Sequence, residues 1–448
     1  MNPDKSYSWF PLALLWFGAA MSVAEIQVGG IMSAAGPATG LAALFAGHVV
    51  GSCLLGLMGY VGFKERLPSL MCTRIAFGRR GSWLLSLANV MQLMGWTAVM
   101  IQLNSQALGG ITRTLWGFES SGATVLLLAC LVAIWALRES RGKHFGNTLA
   151  VILLVLLGLL TTWTLWARAT EQPGVAAAAA VVSPTPLAFG EVFELSLIMP
   201  LSWFPLVADY ACRAKSARAA CLSPAVGYFI GSVWMYGLGF AGALLTGESD
   251  PTPMLMAAGL GVAALGVLVF STVVTTFLDV YSAVASARNI FPGLPQRPAV
   301  LAVAAAGAAG ALFWNSEVYV GFLHCIGAVF APLSAILFAD YFLLRRDERT
   351  RDVSLRGLAS LGCGIAGYWA FAYFGTPLGP TLSCLLLTLA AHLLLRKLEG
   401  FARGFIAYLS PARPVRDSRV GAEKCGFRLL ALRGGRRPGG PGTPGGAG

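Results

Sequence analysis

The chain has 448 residues, 56% of them hydrophobic and only 12% charged, with a formal net charge of +12. That balance excludes a soluble globular protein. The apolar runs are long enough to cross a bilayer as helices, ~20 residues each, and lack the short alternation of an outer-membrane barrel, so the predicted class is an all-α polytopic membrane protein.

Twelve transmembrane helices are predicted, at 10–35, 40–62, 84–110, 122–138, 146–167, 189–211, 222–246, 257–286, 298–314, 317–344, 355–375 and 377–396. Their loops alternate in charge. Lys64, Arg66, Arg74, Arg79 and Arg80 follow the second span, and Arg138, Arg141 and Lys143 the fourth. Arg213, Lys215 and Arg218 follow the sixth, Arg288 and Arg297 the eighth, and Arg345, Arg346, Arg349, Arg351 and Arg356 the tenth, whereas the opposite loops hold only Arg113 and Arg168. Under the positive-inside rule both termini lie in the cytoplasm and the protein sits in the cell membrane. Loops and a basic tail then account for the net charge without nucleic acid. The first apolar segment is too long for a signal-peptide core and is expected to remain as the first span.

The predicted organisation is a cytoplasmic N-terminus (1–9), five spans over 10–167, five over 189–344, two more over 355–396, and a basic, Gly- and Pro-rich tail (397–448) whose composition cannot bury a core. The nine cysteines form no CxxC pair or Cys/His cluster, so neither a disulfide nor a structural metal is expected. Walker, nucleophile-elbow, HExxH and Rossmann patterns are missing, and no loop is long enough for a soluble catalytic domain. Glu25 and Asp279 are the evident acidic candidates within the spans. A secondary transporter, not an enzyme or a receptor, is the expected class.

Such transporters bind near the midplane, where helices are broken. In the first span Gly18, Gly29 and Gly30 surround Ser22 and Glu25; in the sixth, "FELSLIMPLSWFPLVADY", Pro200 and Pro205 flank Ser202 and Trp203. Both segments are expected to unwind and offer backbone groups to a polar solute. Their five-helix offset suggests two five-helix repeats. In the third span Gln92 and Trp96 share a face, a pairing suited to a flat heteroaromatic ligand: the indole stacks and the carboxamide offers a donor and an acceptor. The eighth, "FSTVVTTFLDVYSAVAS", sets Thr272, Thr275 or Thr276, Asp279, Ser282 and Ser286 along one face, though such hydroxyls also bond their own backbone. Asp279, an intramembrane ionisable group, points to a cavity, partner or ion path. Asp209 and Asp340, each in an "ADY", are expected to pair locally or gate; His324 and His392 are expected to be core or interface residues.

Four stretches, "LPSLMCTRIAFGRRGS", Gly95-Trp96, "SWFPLVADYACR" and "FAPLSAILFADYFLLRR", resemble the nucleobase:cation symporter-1 family of cytosine, hydantoin and allantoin permeases. "MQLMGWTAVMI" and "TTFLDVYSA" are most similar to the branch proposed to import hydroxymethylpyrimidine, the pyrimidine precursor of thiamine. The resemblance implies a five-plus-five inverted repeat of the amino-acid-symporter type with two added C-terminal helices, and alternating access. It implies a pyrimidine substrate held by Gln92, Trp96, Ser202, Trp203 and Asp279, with cytosine or a purine as the alternative. It further implies a possible sodium site at Ala20, Val23, Thr275 and Thr276, with a proton as the other coupling ion and no further cofactor. Two departures stand out. Phe277 and Asp279 occupy a region where nucleobase and hydantoin binders often carry asparagine. Glu25 is expected to contact an aminopyrimidine, or else to carry a coupling proton or pair with a buried partner such as His48.

Overall fold

The computed structural model describes residues 6–139, 145–171 and 186–409. The chain forms one unit up to Leu398 and a second from Glu399, whose described part is the end of the last helix. The helices are α1 (Trp9–Ala20), α2 (Val23–Met32), α3 (Pro37–Glu65), α4 (Ser69–Cys72), α5 (Arg74–Phe77), α6 (Gly81–Trp116), α7 (Ser121–Glu139), α8 (Phe145–Glu171) and α9 (Phe189–Ser202). They continue as α10 (Val207–Ala211), α11 (Ala217–Thr246), α12 (Pro251–Ala257), α13 (Gly261–Thr275), α14 (Phe277–Ile290), α15 (Gln296–Ala311) and α16 (Ser316–Phe338). A π-helical turn (Ala339–Leu344), α17 (Leu355–Phe374) and α18 (Gly379–Leu409) follow.

Among the described residues eight helical segments, with α13 and α14 counted as one run over Gly261–Ile290, are long and apolar enough to span a bilayer, and the bent pair α1/α2 makes a ninth. The other three predicted spans fall short for physical reasons. The sixth is divided between α9 and α10, α15 has only 16 residues, and α17 is diluted by glycine, tyrosine and tryptophan. Large apolar side chains on the outer helix faces, among them Leu126, Leu156, Trp163 and Trp166, are exposed, as a lipid-facing surface requires. The tail prediction needs one correction: residues 397–409 continue α18, because the apolar residues of "GFARGFIAYL" recur at helical spacing. The remainder of the predicted tail, 410–448, lies outside the described residues, as do Arg141 and Lys143.

The first, second, sixth and seventh spans pack on one another around a common apolar core, and α6 packs against α13, α14 and α15. Close approach inside the first group rests on glycine. A Cβ on Gly29 would lie 2.1 Å from the Tyr236 carbonyl oxygen, and one on Gly239 1.9 Å from that of Ile26, so the backbones of α2 and α11 touch.

The basic loops are tied together. Arg79 N–H donates to Arg351 O at 2.9 Å, Ser354 N–H to Phe77 O at 2.9 Å, and the Arg66 guanidinium to Cys212 O at 3.0 Å. Arg74 reaches Asn289 at 2.9 Å, and Tyr7 exchanges backbone bonds with Arg213 and Lys215 at 3.0 and 2.8 Å. The loops after the second, sixth, eighth and tenth spans and the N-terminal segment therefore lie on one face, as their charge requires. Asp340 is buried there and pairs with Arg396 (2.8 Å) and His392 (3.1 Å), both arriving from α18, while Arg396 also holds Glu348 at 2.8 Å. The local pairing expected of Asp340 is present, but its cation comes from the last span and not from the arginines that follow it. Asp209 accepts from the Ser69 N–H at 3.0 Å.

Candidate functional site

Both expected breaks exist, though their causes differ from the glycine pattern. The first span stops at Ala20 and restarts at Val23 with a 61° bend. The extended residue between them is Ser22, whose hydroxyl caps α2 by accepting from Ala24 N–H at 3.2 Å. Gly29 and Gly30, expected to unwind, lie inside α2 and serve packing instead. The sixth span breaks at 203–206, where Pro205 has no N–H to offer Leu201; Phe204 N–H bonds Leu201 O instead, and Leu206 N–H bonds Trp203 O.

That turn leaves the Ser202 carbonyl without a helical donor, and Gln92 supplies one. Its amide N–H donates to Ser202 O at 2.8 Å and to Asn89 Oδ1 at 3.2 Å, while its buried carbonyl oxygen has no protein partner. The Ser202 hydroxyl is spent on Met199 O at 2.6 Å. Trp203 stands edge-on to Trp16, with ring centroids 5.8 Å apart, and Trp16 carries a buried, unpaired indole N–H. The structure thus sets an orphaned acceptor and an orphaned donor against the same short turn, which suits a flat ligand bearing both groups.

Trp96, four residues beyond Gln92, packs edge-on to Phe322 and Tyr319 at 5.4 and 6.2 Å. The Tyr319 hydroxyl donates to Ala24 O at 3.2 Å, which ties this aromatic group to the start of α2. On the other side Trp203 packs on the cluster of Leu93, Leu206, Phe277 and Val280, which brings the eighth span to the site. Asp279 is 9% exposed, and its carboxyl makes no hydrogen bond among the described residues.

At the expected cation region Ala20 closes α1 and Val23 opens α2, so the last carbonyls of α1 lack helical donors. Thr275 and Thr276 both donate to Thr272 O, at 3.3 and 2.6 Å, and Ser286 to Ser282 O at 2.8 Å. Hydroxyls that give their hydrogen to their own helix keep lone pairs available to a hard cation.

Glu25, expected to contact the ligand, to carry a proton or to pair with a buried partner, lies in the first turn of α2 and is 2% exposed. Both carboxylate oxygens are taken by the seventh span: Tyr228 O–H donates to one at 2.5 Å and Ser232 O–H to the other at 2.6 Å. Ser232 in turn meets His48 Nε2 at 2.6 Å, so the pairing with His48 runs through a serine.

Sequence reasoning missed several groups. Asn89 precedes Gln92 by three residues on the same face and meets Ser286 at 2.8 Å, so helical spacing could have found it. Glu194 stood within the stretch quoted for the sixth break, yet it is a third intramembrane carboxylate, buried and held by Tyr368 (2.6 Å), the Thr381 hydroxyl (2.5 Å) and the Thr381 N–H (2.8 Å). His324 contacts that tyrosine at 2.8 Å, and His392 is buried against Asp340, as interface histidines would be.

Residues 3–355 match the family model described as permease for cytosine/purines, uracil, thiamine, allantoin. The chain is 28% identical over 417 residues to a cytosine permease of Escherichia coli K12, covering 86% of this chain and 95% of that one. It is 22% identical over 388 residues to a hydantoin permease of Microbacterium maritypicum, covering 82% and 78%. The fold is similar to that of Mhp1 in its inward-facing conformation, with TM-score 0.73, 19% identity, and 89% and 94% of the two chains covered. It is also similar to Mhp1 closed with bromovinylhydantoin bound, at TM-score 0.72, 19% identity, and 89% and 95% coverage. The broken helices, the short turn with its orphaned polar atoms and the family match agree: this chain is a multi-pass membrane transporter, not an enzyme, and belongs to the nucleobase:cation symporter-1 family of permeases.

Proposed function

We propose that the chain imports an aminopyrimidine by cation symport, with alternating access around the turn at 203–206. The observation that carries this is Gln92: one amide hydrogen is committed to Ser202 O and the carbonyl oxygen is left free in a buried setting. A free carboxamide oxygen accepts from an exocyclic amine, the Trp16 N–H donates to a ring nitrogen, and Trp96 and Trp203 bracket a flat ring. Asp279, without a partner, is the remaining polar contact, and Ser202 contributes its backbone. Hydroxymethylpyrimidine is the first choice of substrate, on the resemblance of "MQLMGWTAVMI" and "TTFLDVYSA". Cytosine is the second, supported by the similarity to the E. coli cytosine permease. Both carry the amine. Sodium at Ala20, Val23, Thr275 and Thr276 is the proposed coupling ion of this reading. The two five-helix halves at 10–167 and 189–344 are proposed to be inverted repeats, with the termini in the cytoplasm.

Uptake of labelled hydroxymethylpyrimidine into cells expressing the chain, with and without sodium and against excess cytosine, tests this. Saturable, sodium-dependent uptake that resists cytosine is expected. Entry of cytosine alone transfers the site to the second substrate, and entry of neither overturns the aminopyrimidine assignment.

A further inference from the structure

A chain of hydrogen bonds runs through the four packed spans: Tyr228 and Ser232 on α11, Glu25 on α2, His48 on α3 and Ser196 on α9. Tyr228 and Ser232 bond the Glu25 carboxylate at 2.5 and 2.6 Å, His48 Nε2 meets Ser232 at 2.6 Å, and His48 Nδ1 lies 2.5 Å from the Ser196 hydroxyl and 3.0 Å from Leu44 O. Ser196 also donates to Leu44 O at 2.5 Å. Glu25 is 2% exposed and His48 fully buried. No Lys or Arg bonds either of them among the described residues.

Donor bookkeeping gives this chain two ways of holding one proton. With Glu25 ionised, Ser232 donates to it and must accept from His48 Nε2–H; Nδ1–H then donates to Leu44 O or Ser196, and His48 is imidazolium. With Glu25 protonated, the carboxyl donates to Ser232, Ser232 donates to His48 Nε2, and His48 is neutral with its hydrogen on Nδ1. Every polar atom is satisfied in both arrangements, which differ by two hops through Ser232: the Nε2 proton passes to the serine oxygen as the serine proton passes to the carboxylate. If the proton is withdrawn, Glu25 stays ionised, His48 is neutral with hydrogen on Nε2, and Nδ1 accepts from Ser196. An uncompensated carboxylate is then buried, which is costly.

We propose that Glu25, Ser232 and His48 form a single proton-binding unit, a second coupling site that takes a proton beside the sodium proposed at Thr275 and Thr276. One Tyr228 ring separates it from Trp203, at a centroid distance of 6.4 Å, so the unit adjoins the broken sixth span. The other titratable groups around it are already engaged. Tyr236 stands edge-on to His48 at 4.6 Å and donates to Leu195 O, Tyr319 donates to Ala24 O, Glu194 is held by Tyr368 and Thr381, and Asp250 accepts from Gln27. As a route of coupling the inference rests on the transport reading above; as a proton site it does not.

The test therefore needs no substrate. The full-length protein in detergent, with histidines labelled in the ring nitrogens, is titrated by NMR for His48, one of only four histidines, and by infrared spectroscopy for a protonated carboxyl band. A single shared midpoint is expected for the carboxyl band and the His48 resonance, with Glu25→Gln removing the band and displacing the His48 titration. Ser232→Ala, which keeps both ends and cuts the link, is expected to split the shared midpoint into two. Separate midpoints in the wild type, or an unchanged His48 titration in both variants, overturn the unit. In proteoliposomes with labelled cytosine and hydroxymethylpyrimidine, accumulation driven by a pH gradient is expected to be lost in Glu25→Gln. Failure of both compounds to enter wild-type vesicles, alongside a shared midpoint, would count against the substrate and leave the proton site standing.

Discussion

The molecule buries two carboxylates in opposite ways. Asp340, at the basic face, is surrounded by Arg396 and His392, with Glu348 sharing the arginine. Glu25, in the middle of the first span, is surrounded by hydroxyls, and its nearest ring nitrogen lies beyond a serine. A guanidinium cannot be deprotonated, so the first cluster has a fixed charge and can only be kept or broken. Hydroxyls both donate and accept, so the second can reverse its polarity. The same residue class thus serves as a rivet at one place and as a proton acceptor at the other, and the neighbours decide which.

The largest effect that would sharpen this contrast is loss of the rivet. Arg396→Met should leave Asp340 buried with only His392 beside it and cost about 3–5 kcal/mol, read as a fall in the thermal midpoint of the purified protein. Were the loss below about 1 kcal/mol, the fixed-charge role of the cluster would be wrong. Next comes packing: Gly29→Ala drives a methyl into the Tyr236 carbonyl and should cost about 1–3 kcal/mol while loosening Tyr228 and Ser232 from Glu25. Fluorescence-detected melting checks the stability and the carboxyl infrared band checks the loosening. The proposed ligand site offers a third case, a polar group that holds the backbone with its N–H and keeps a free acceptor. Gln92→Leu removes the donor to Ser202 O and the free acceptor together, so binding of the transported pyrimidine should weaken by about 10–100-fold in Kd, corresponding to ~1–3 kcal/mol. Isothermal titration or competition uptake would detect it.

The smallest effect lies outside the membrane. Arg349, hydrogen-bonded to Asp347 at 2.6–2.9 Å, holds that carboxyl below the usual carboxylate range. A depressed carboxylate stabilises the fold above its unfolded-state pKa and loses that contribution as pH falls through the folded-state value, so the change belongs to the acidic side of about pH 4. Both side chains are about two-fifths exposed, at 38% and 46%, so Arg349→Ala should shift stability by only a few tenths of a kcal/mol. A melting series from pH 3 to neutral would show whether it does.

Much of the architecture was legible because lipid imposes a simple grammar: apolar length marks spans, and basic loops mark one face. The sixth break was legible because proline removes a donor in a way that any sequence displays. The mechanism of the first break was not. Ser22 caps a helix there, and capping depends on a backbone angle that composition does not reveal, while the neighbouring glycines that drew notice serve a helix–helix contact. Gln92 was readable as a polar group sharing a face with Trp96, but its hold on Ser202 O joins residues 110 positions apart. Glu25 was visible as an anomaly, yet its partners sit more than 200 positions away, and serine and tyrosine in a span carry no mark of what they face. Glu194 was overlooked because the prolines and tryptophan of the same segment gave a stronger local signal.

The contact of α2 with α11 constrains how the transporter moves. Where the Gly29 and Gly239 backbones touch, there is no side-chain cushion to absorb sliding, and packed interiors transmit displacement instead of yielding to it. The second half of the first span and the seventh span are therefore geared together, and a rotation of one is a rotation of both. The compliance that alternating access needs has to come from the joint at Met21 and Ser22 and from the turn at 203–206. The two places where the helices give way are thus also the two that flank the proposed ligand site.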